Sequence, residues 1–72
     1  MELFFKLRIS FDDFLPYYQG AATMVQVKDL QGRVVWINGR HFRPFVTRDG
    51  VNGLFRLELD KSGNFVSLNK LE

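Results

Sequence analysis

The chain has 72 residues, 46% of them hydrophobic and 25% charged, and its 10 basic and 8 acidic side chains give a formal net charge of +2. That length and composition predict one small domain, residues 1–72, with a modest core, and argue against intrinsic disorder. There is no room for a nucleotide-binding domain joined to a substrate domain. The longest apolar run, Val34 to Ile37, falls far short of the roughly 18 residues that span a membrane, and the lack of cysteine removes disulfides and thiolate metal ligands.

Leu3, Phe5, Leu7 and Ile9 alternate with Phe4, Lys6 and Arg8, the period of a half-buried strand. Met1-Glu2 leads straight into it, so no signal peptide is expected, and a cytoplasmic setting fits the absence of cysteine. Ser10 followed by Asp13 resembles a capping box, and acids at Asp12 and Asp13 suit the positive end of a helix. The predicted helix presents Phe11, Phe14, Leu15 and Tyr18 as one apolar stripe and stops at Gly20. Pro16 removes the hydrogen bond to Asp12, so the helix is short and imperfect.

Two hairpins are predicted after it. Val25 and Val27 alternate with Met24, Gln26 and Lys28, and a second strand covers about Arg33 to Asn38. Leu54 to Asp60 places Phe55, Leu57 and Leu59 inward and is followed by a strand from Phe65 to Asn69. The connections Asp29-Leu30-Gln31-Gly32 and Asp60-Lys61-Ser62-Gly63 share one form. Asp at the first turn position accepts a local backbone N–H, and Gly takes the left-handed position that closes the turn. The fold class is therefore α+β, in the order β-α-β-β-β-β. One short N-terminal helix covers a curved antiparallel five-stranded sheet, with a small open barrel as the alternative. The connection from Gly39 to Gly53 is long. It is either a functional loop or core-filling structure, a single 3₁₀ turn or a short strand that tucks Phe42, Phe45 and Val46 into the core.

Nucleophilic catalysis needs a hydroxyl or thiol beside a base, and the only histidine, His41, lies among arginines that disfavour its protonated form. Asp12 and Asp13 point about 100° apart on a helix and are explained by the helix start. No spacing of His, Asp or Glu suggests a metal site, and Asp49-Gly50 and Asn52-Gly53 read as turns rather than anion nests. No enzyme activity, cofactor or metal is expected.

Charge is unevenly spread. Residues 1–32 and 49–72 each carry three basic and four acidic groups, whereas residues 33–48 carry Arg33, Arg40, Arg43 and Arg48 and no acid. Arginine pairs with phosphate through two parallel hydrogen bonds and stacks on flat rings. Interleaved with Trp36, His41 and Phe42, these arginines suggest single-stranded nucleic acid as partner, with Trp36 or His41 as the stacking surface. A second basic face, Lys6, Arg8, Lys28 and Arg56, arises if the first, second and fourth strands are neighbours, and Glu58 dilutes it. The competing partner is a protein or a second copy of the chain. It would meet the apolar Val34–Ile37 strand together with Phe4 and Tyr17, which lie off the expected core faces, as does Leu54.

Ser10 with Leu15-Pro16-Tyr17-Tyr18-Gln19-Gly20, the block Arg43-Pro44-Phe45-Val46-Thr47-Arg48-Asp49-Gly50-Val51-Asn52-Gly53-Leu54-Phe55-Arg56-Leu57 and the ending Gly63-Asn64-Phe65-Val66-Ser67-Leu68 resemble the small bacterial proteins grouped as domain of unknown function 2835. The resemblance spans nearly the whole chain. It implies a stand-alone gammaproteobacterial cytoplasmic protein and brings no activity, cofactor or catalytic residue with it. The chain departs from the family pattern at Pro16, at Trp36-Ile37-Asn38 and at Leu54, where the family more often has a basic residue, a segment ending in proline, and arginine. If the basic position at Leu54 serves ligand binding in the family, its loss here weakens the nucleic-acid reading.

Overall fold

Alternation in the first eight residues produces β1 (Glu2–Ile9), with Leu3 and Phe5 fully buried and Phe4, Lys6 and Arg8 turned outward. The computed structural model describes residues 1–72. After α1 (Phe11–Tyr18) come β2 (Met24–Lys28), β3 (Val34–Asn38), a 3₁₀ segment (Gly39–Phe45), β4 (Val51–Leu59) and β5 (Phe65–Lys70). The order β-α-β-β-β-β and the α+β class are those expected, and every pairing is antiparallel.

The strands divide into two sheets rather than forming one. β4 is central to the first, order β1-β4-β5, and β2 and β3 form a separate hairpin. β4 begins at Val51, three residues earlier than its alternation suggests, because the eight-residue β1 pairs along its full length, from Glu2↔Glu58 to Ile9↔Val51. The sheets meet where the Leu30 N–H donates to the Phe4 carbonyl at 2.8 Å. On the opposite side the 3₁₀ segment contacts both β3 and β5. It keeps those two edges apart, and no barrel closes.

The Gly39–Gly53 connection fills the core: Phe42 is fully buried, and Phe45 and Val46 are half-buried against it. Phe5 stacks on Phe55 with ring centroids 5.5 Å apart, and Phe42 meets both edge-on at 6.2 and 5.7 Å. Each such pair is worth about 0.5–1.5 kcal/mol beyond its buried area. Leu3, Phe14, Val25, Val27, Ile37, Val51, Leu57 and Leu68 complete the core.

Ser10 caps α1 as expected, its Oγ accepting from the Asp13 N–H at 3.2 Å, but of the expected stripe the helix buries Phe14 and half-buries Leu15 only, and adds Tyr17. Phe11 and Tyr18 remain exposed, while Phe14 is buried and Tyr17 stacks on it at 5.8 Å. The cause lies across the interface. A Cβ at Gly39 would sit only 2.8 Å from the Tyr17 Cβ, so this glycine lets the 3₁₀ segment approach the Tyr17 side of the helix. Tyr17 is therefore a packing residue rather than part of a free apolar face.

Both Asp-x-x-Gly turns are built alike. Asp29 Oδ1 accepts from the Gln31 and Arg33 N–H groups at 3.1 and 2.6 Å, and Asp60 Oδ1 accepts from Ser62 and Asn64 at 2.9 and 2.8 Å. Gly32 and Gly63 take φ of 86° and 84°, the left-handed conformation that a side chain would strain.

Candidate functional site

Pairing with β2 turns Val35 and Ile37 into the core and leaves Val34 and Trp36 outward, with Trp36 59% exposed opposite Gln26. An exposed indole is unusual enough to ask for a partner. At the end of β3, Asn38 Oδ1 accepts from the Arg40 N–H at 3.0 Å and starts the 3₁₀ segment. One residue further, His41 lies flat on Phe65, with ring centroids 3.6 Å apart and planes within 7°. Trp36, His41 and Phe65, with Met24 and Leu59, line a groove of about 200 Å³ between β3 and the start of β5. Burial, and after it the charge of Arg40, holds the His41 imidazole below its ordinary pKa. At neutral pH it is an uncharged flat ring.

The four arginines of residues 33–48 do not form one free row. Arg33 is bound at the β2–β3 turn, where its Nε and Nη2 each lie 2.7 Å from Asp29 Oδ2. Burial works to raise the Asp29 pKa, but the Arg33 backbone N–H and guanidinium outweigh it and hold the carboxyl below its usual value. Arg43 closes the end of α1, donating from Nη2 to the Tyr18 carbonyl at 2.9 Å with its guanidinium 5.4 Å from the Tyr18 ring centre. The side chains of Arg40, beside the groove, and Arg48, in the turn before β4, make no hydrogen bond or ion pair within the chain. The length of β3 sets Arg33 roughly 16 Å from the Asn38 end, where Arg40 begins.

Of the six residues marked in the sequence, then, Trp36 and His41 share the groove, Arg40 adjoins it, and Arg33, Arg43 and Arg48 lie elsewhere. Phe65 escaped notice because it follows a turn in another hairpin. Its one sequence signal is an aromatic side chain just after the Asp60-Lys61-Ser62-Gly63 turn, and the structure leaves it 38% exposed. The second basic face does not form as expected, because Arg56 is engaged by Glu2 and Glu58 and Lys28 lies on the other sheet. No three His, Asp or Glu side chains gather into a metal-binding cluster, and no helix is long and apolar enough to cross a membrane.

No curated protein and no solved structure matches the chain. Residues 1–71 match the family model described as Protein of unknown function (DUF2835), a match over almost the full length that agrees with the Tyr-Tyr-Gln-Gly and Arg-Pro-Phe-Val-Thr blocks. The chain belongs to the DUF2835 family.

Proposed function

We propose that this protein is a non-enzymatic, cytoplasmic binding module for single-stranded nucleic acid, with Trp36 as the stacking surface. The observation that carries the reading is the indole, 59% exposed at a groove that also holds the neutral His41 ring. Stacking on such a ring contributes about 1–3 kcal/mol per base and tolerates any sequence. Arg40, next to His41, and Arg48, further along the chain in the turn before β4, have side chains free of intramolecular partners and supply phosphate contacts along an extended strand.

Titration of Trp36 emission with mixed-sequence single-stranded RNA and DNA at several salt concentrations tests this. Two phosphate contacts predict a slope of roughly −1.4 in log affinity against log salt for a single strand. The slope should vanish in the R40A/R48A double variant. Flat emission together with flat anisotropy of a labelled oligonucleotide at low salt overturns the reading.

The second reading is a protein-docking or self-association face. It is favoured by Val34 and Met24, 53% and 41% exposed, on the same side of the β2–β3 hairpin as Trp36. Sedimentation velocity across a hundredfold concentration range separates the two: a concentration-dependent dimer that W36A abolishes supports self-association.

A further inference from the structure

One wall of the Trp36 groove is unused main chain. β3 has β2 as its only neighbour, yet four consecutive residues, Val35 to Asn38, line the groove. Successive side chains of a strand point to opposite faces, so a groove that touches all four runs along the free edge of β3. Its floor is apolar: Ile37 and Leu57 belong to the core, and Leu59 is half-buried against it. Phe65, with His41 stacked on it, stands on the far side.

The hydrogen-bond pattern of the hairpin fixes which groups face that edge. In an antiparallel pair, residues that exchange main-chain hydrogen bonds alternate with residues whose N–H and C=O point away from the partner strand. At the two ends of the β2–β3 ladder, the Asp29 N–H donates to the Arg33 carbonyl and the Gly39 N–H to the Thr23 carbonyl, both at 2.8 Å. By alternation Val25↔Ile37 and Val27↔Val35 are bonded across the hairpin, and Gln26↔Trp36 between them is not. The Trp36 N–H and C=O therefore point together from the free edge, a donor beside an acceptor with no partner strand. No Asp, Glu, Lys or Arg lines the groove. Its volume is about 200 Å³. A cavity of about 150 Å³ accepts a benzene-sized ring, so the space suits one flat ring system rather than two in a stack.

We propose that the groove takes a single unpaired nucleobase and reads its Watson–Crick edge on the Trp36 main chain. This rests on the single-strand reading above and names what the site holds. Every base carries a donor next to an acceptor on that edge: in uracil the ring N–H and a carbonyl oxygen, in adenine the amino group and a ring nitrogen. The base donor meets the Trp36 carbonyl, and the base acceptor meets the Trp36 N–H. In a duplex the same edge is already paired, so the groove rejects double strands while tolerating any sequence. Arg40, unpaired beside the groove, takes a flanking phosphate.

The test compares three labelled RNA pentamers by anisotropy at low salt: oligouridine, the same chain built from 3-methyluridine, and an abasic chain. Methylation keeps the phosphates and the ring face but removes the donor at the Watson–Crick edge. The ligand is varied and not the protein, so folding is not at issue. Oligouridine is expected to bind at least roughly fivefold more tightly than the methylated chain, the loss of a hydrogen bond. In amide-shift NMR of the full chain, the Trp36 main-chain amide should move saturably with oligouridine. Equal affinity for the two uridine chains, both above the abasic one, overturns the base pocket and leaves stacking on Trp36 standing. A Trp36 amide that stays still while oligouridine saturates also overturns the pocket. An abasic chain that binds as tightly as oligouridine, or no binding by any chain, overturns the pocket and the stacking reading together.

Discussion

Two residues of similar type show how placement decides what a side chain does. Asp29 and Asp60 open turns of the same form, yet Asp29 is buried and also holds Arg33, whereas Asp60 is exposed and holds only its own turn. Removing Asp29 strands two N–H groups and a guanidinium in a partly buried setting, and an unpaired buried donor costs more than a lost bond. Asp29→Ala is therefore expected to lower the urea midpoint more than Asp60→Ala, read by circular dichroism. Trp36 presents the opposite case. Its ring is mostly in water, so Trp36→Ala should change stability by no more than about 0.5 kcal/mol, while oligonucleotide affinity falls by the stacking contribution. A W36A protein that unfolds readily would show that the indole is structural. That Trp36 faces out could not be read from β3, whose two faces are equally apolar; the pairing with β2 decides it.

Elements were legible where a local signal and a tertiary need agree. The strand alternation in β1, the Ser10 cap and both Asp-x-x-Gly turns involve residues within about four positions of each other, so sequence carries them. The helix face was not legible, because its orientation depends on Gly39, more than twenty residues away. The helix takes the rotation that seats Phe14 and Tyr17 against the 3₁₀ segment, at the expense of the longer stripe through Phe11 and Tyr18. A methyl group at Gly39 removes that seat. Gly39→Ala is expected to cost about 1–3 kcal/mol by overpacking. Phe42→Ala empties the centre of the same segment and should cost about 3–5 kcal/mol. Both losses are read from urea unfolding. If Gly39→Ala is neutral, the close approach of Tyr17 does not fix the helix face.

At the scale of the whole molecule, the split into two sheets leaves the Trp36 groove open, and alternation cannot reveal it, since periodicity gives strands and not their neighbours. The same arrangement makes stability depend on pH. His41, packed on Phe65 beside Arg40, has its pKa lowered by burial and then by the arginine. Between that lowered value and the ordinary 6.5, the unfolded chain holds a proton that the folded chain does not. Stability is therefore full above pH 6.5 and falls as the pH drops through this window. Asp29, where the Arg33 backbone N–H and guanidinium together outweigh burial, and Asp60, where backbone N–H groups led by that of Asn64 do so, are both held below 3.8 and act with the same sign lower on the scale. Their contribution is complete above the ordinary carboxylate range and is lost as each is protonated in the fold. The urea midpoint should thus decline in two steps on acidification from pH 7.5. His41→Phe keeps a flat ring on Phe65 and removes the titration, so the first step should disappear while the acid step remains. A first step that persists in H41F would assign it to another group and would remove His41 as the neutral ring of the groove.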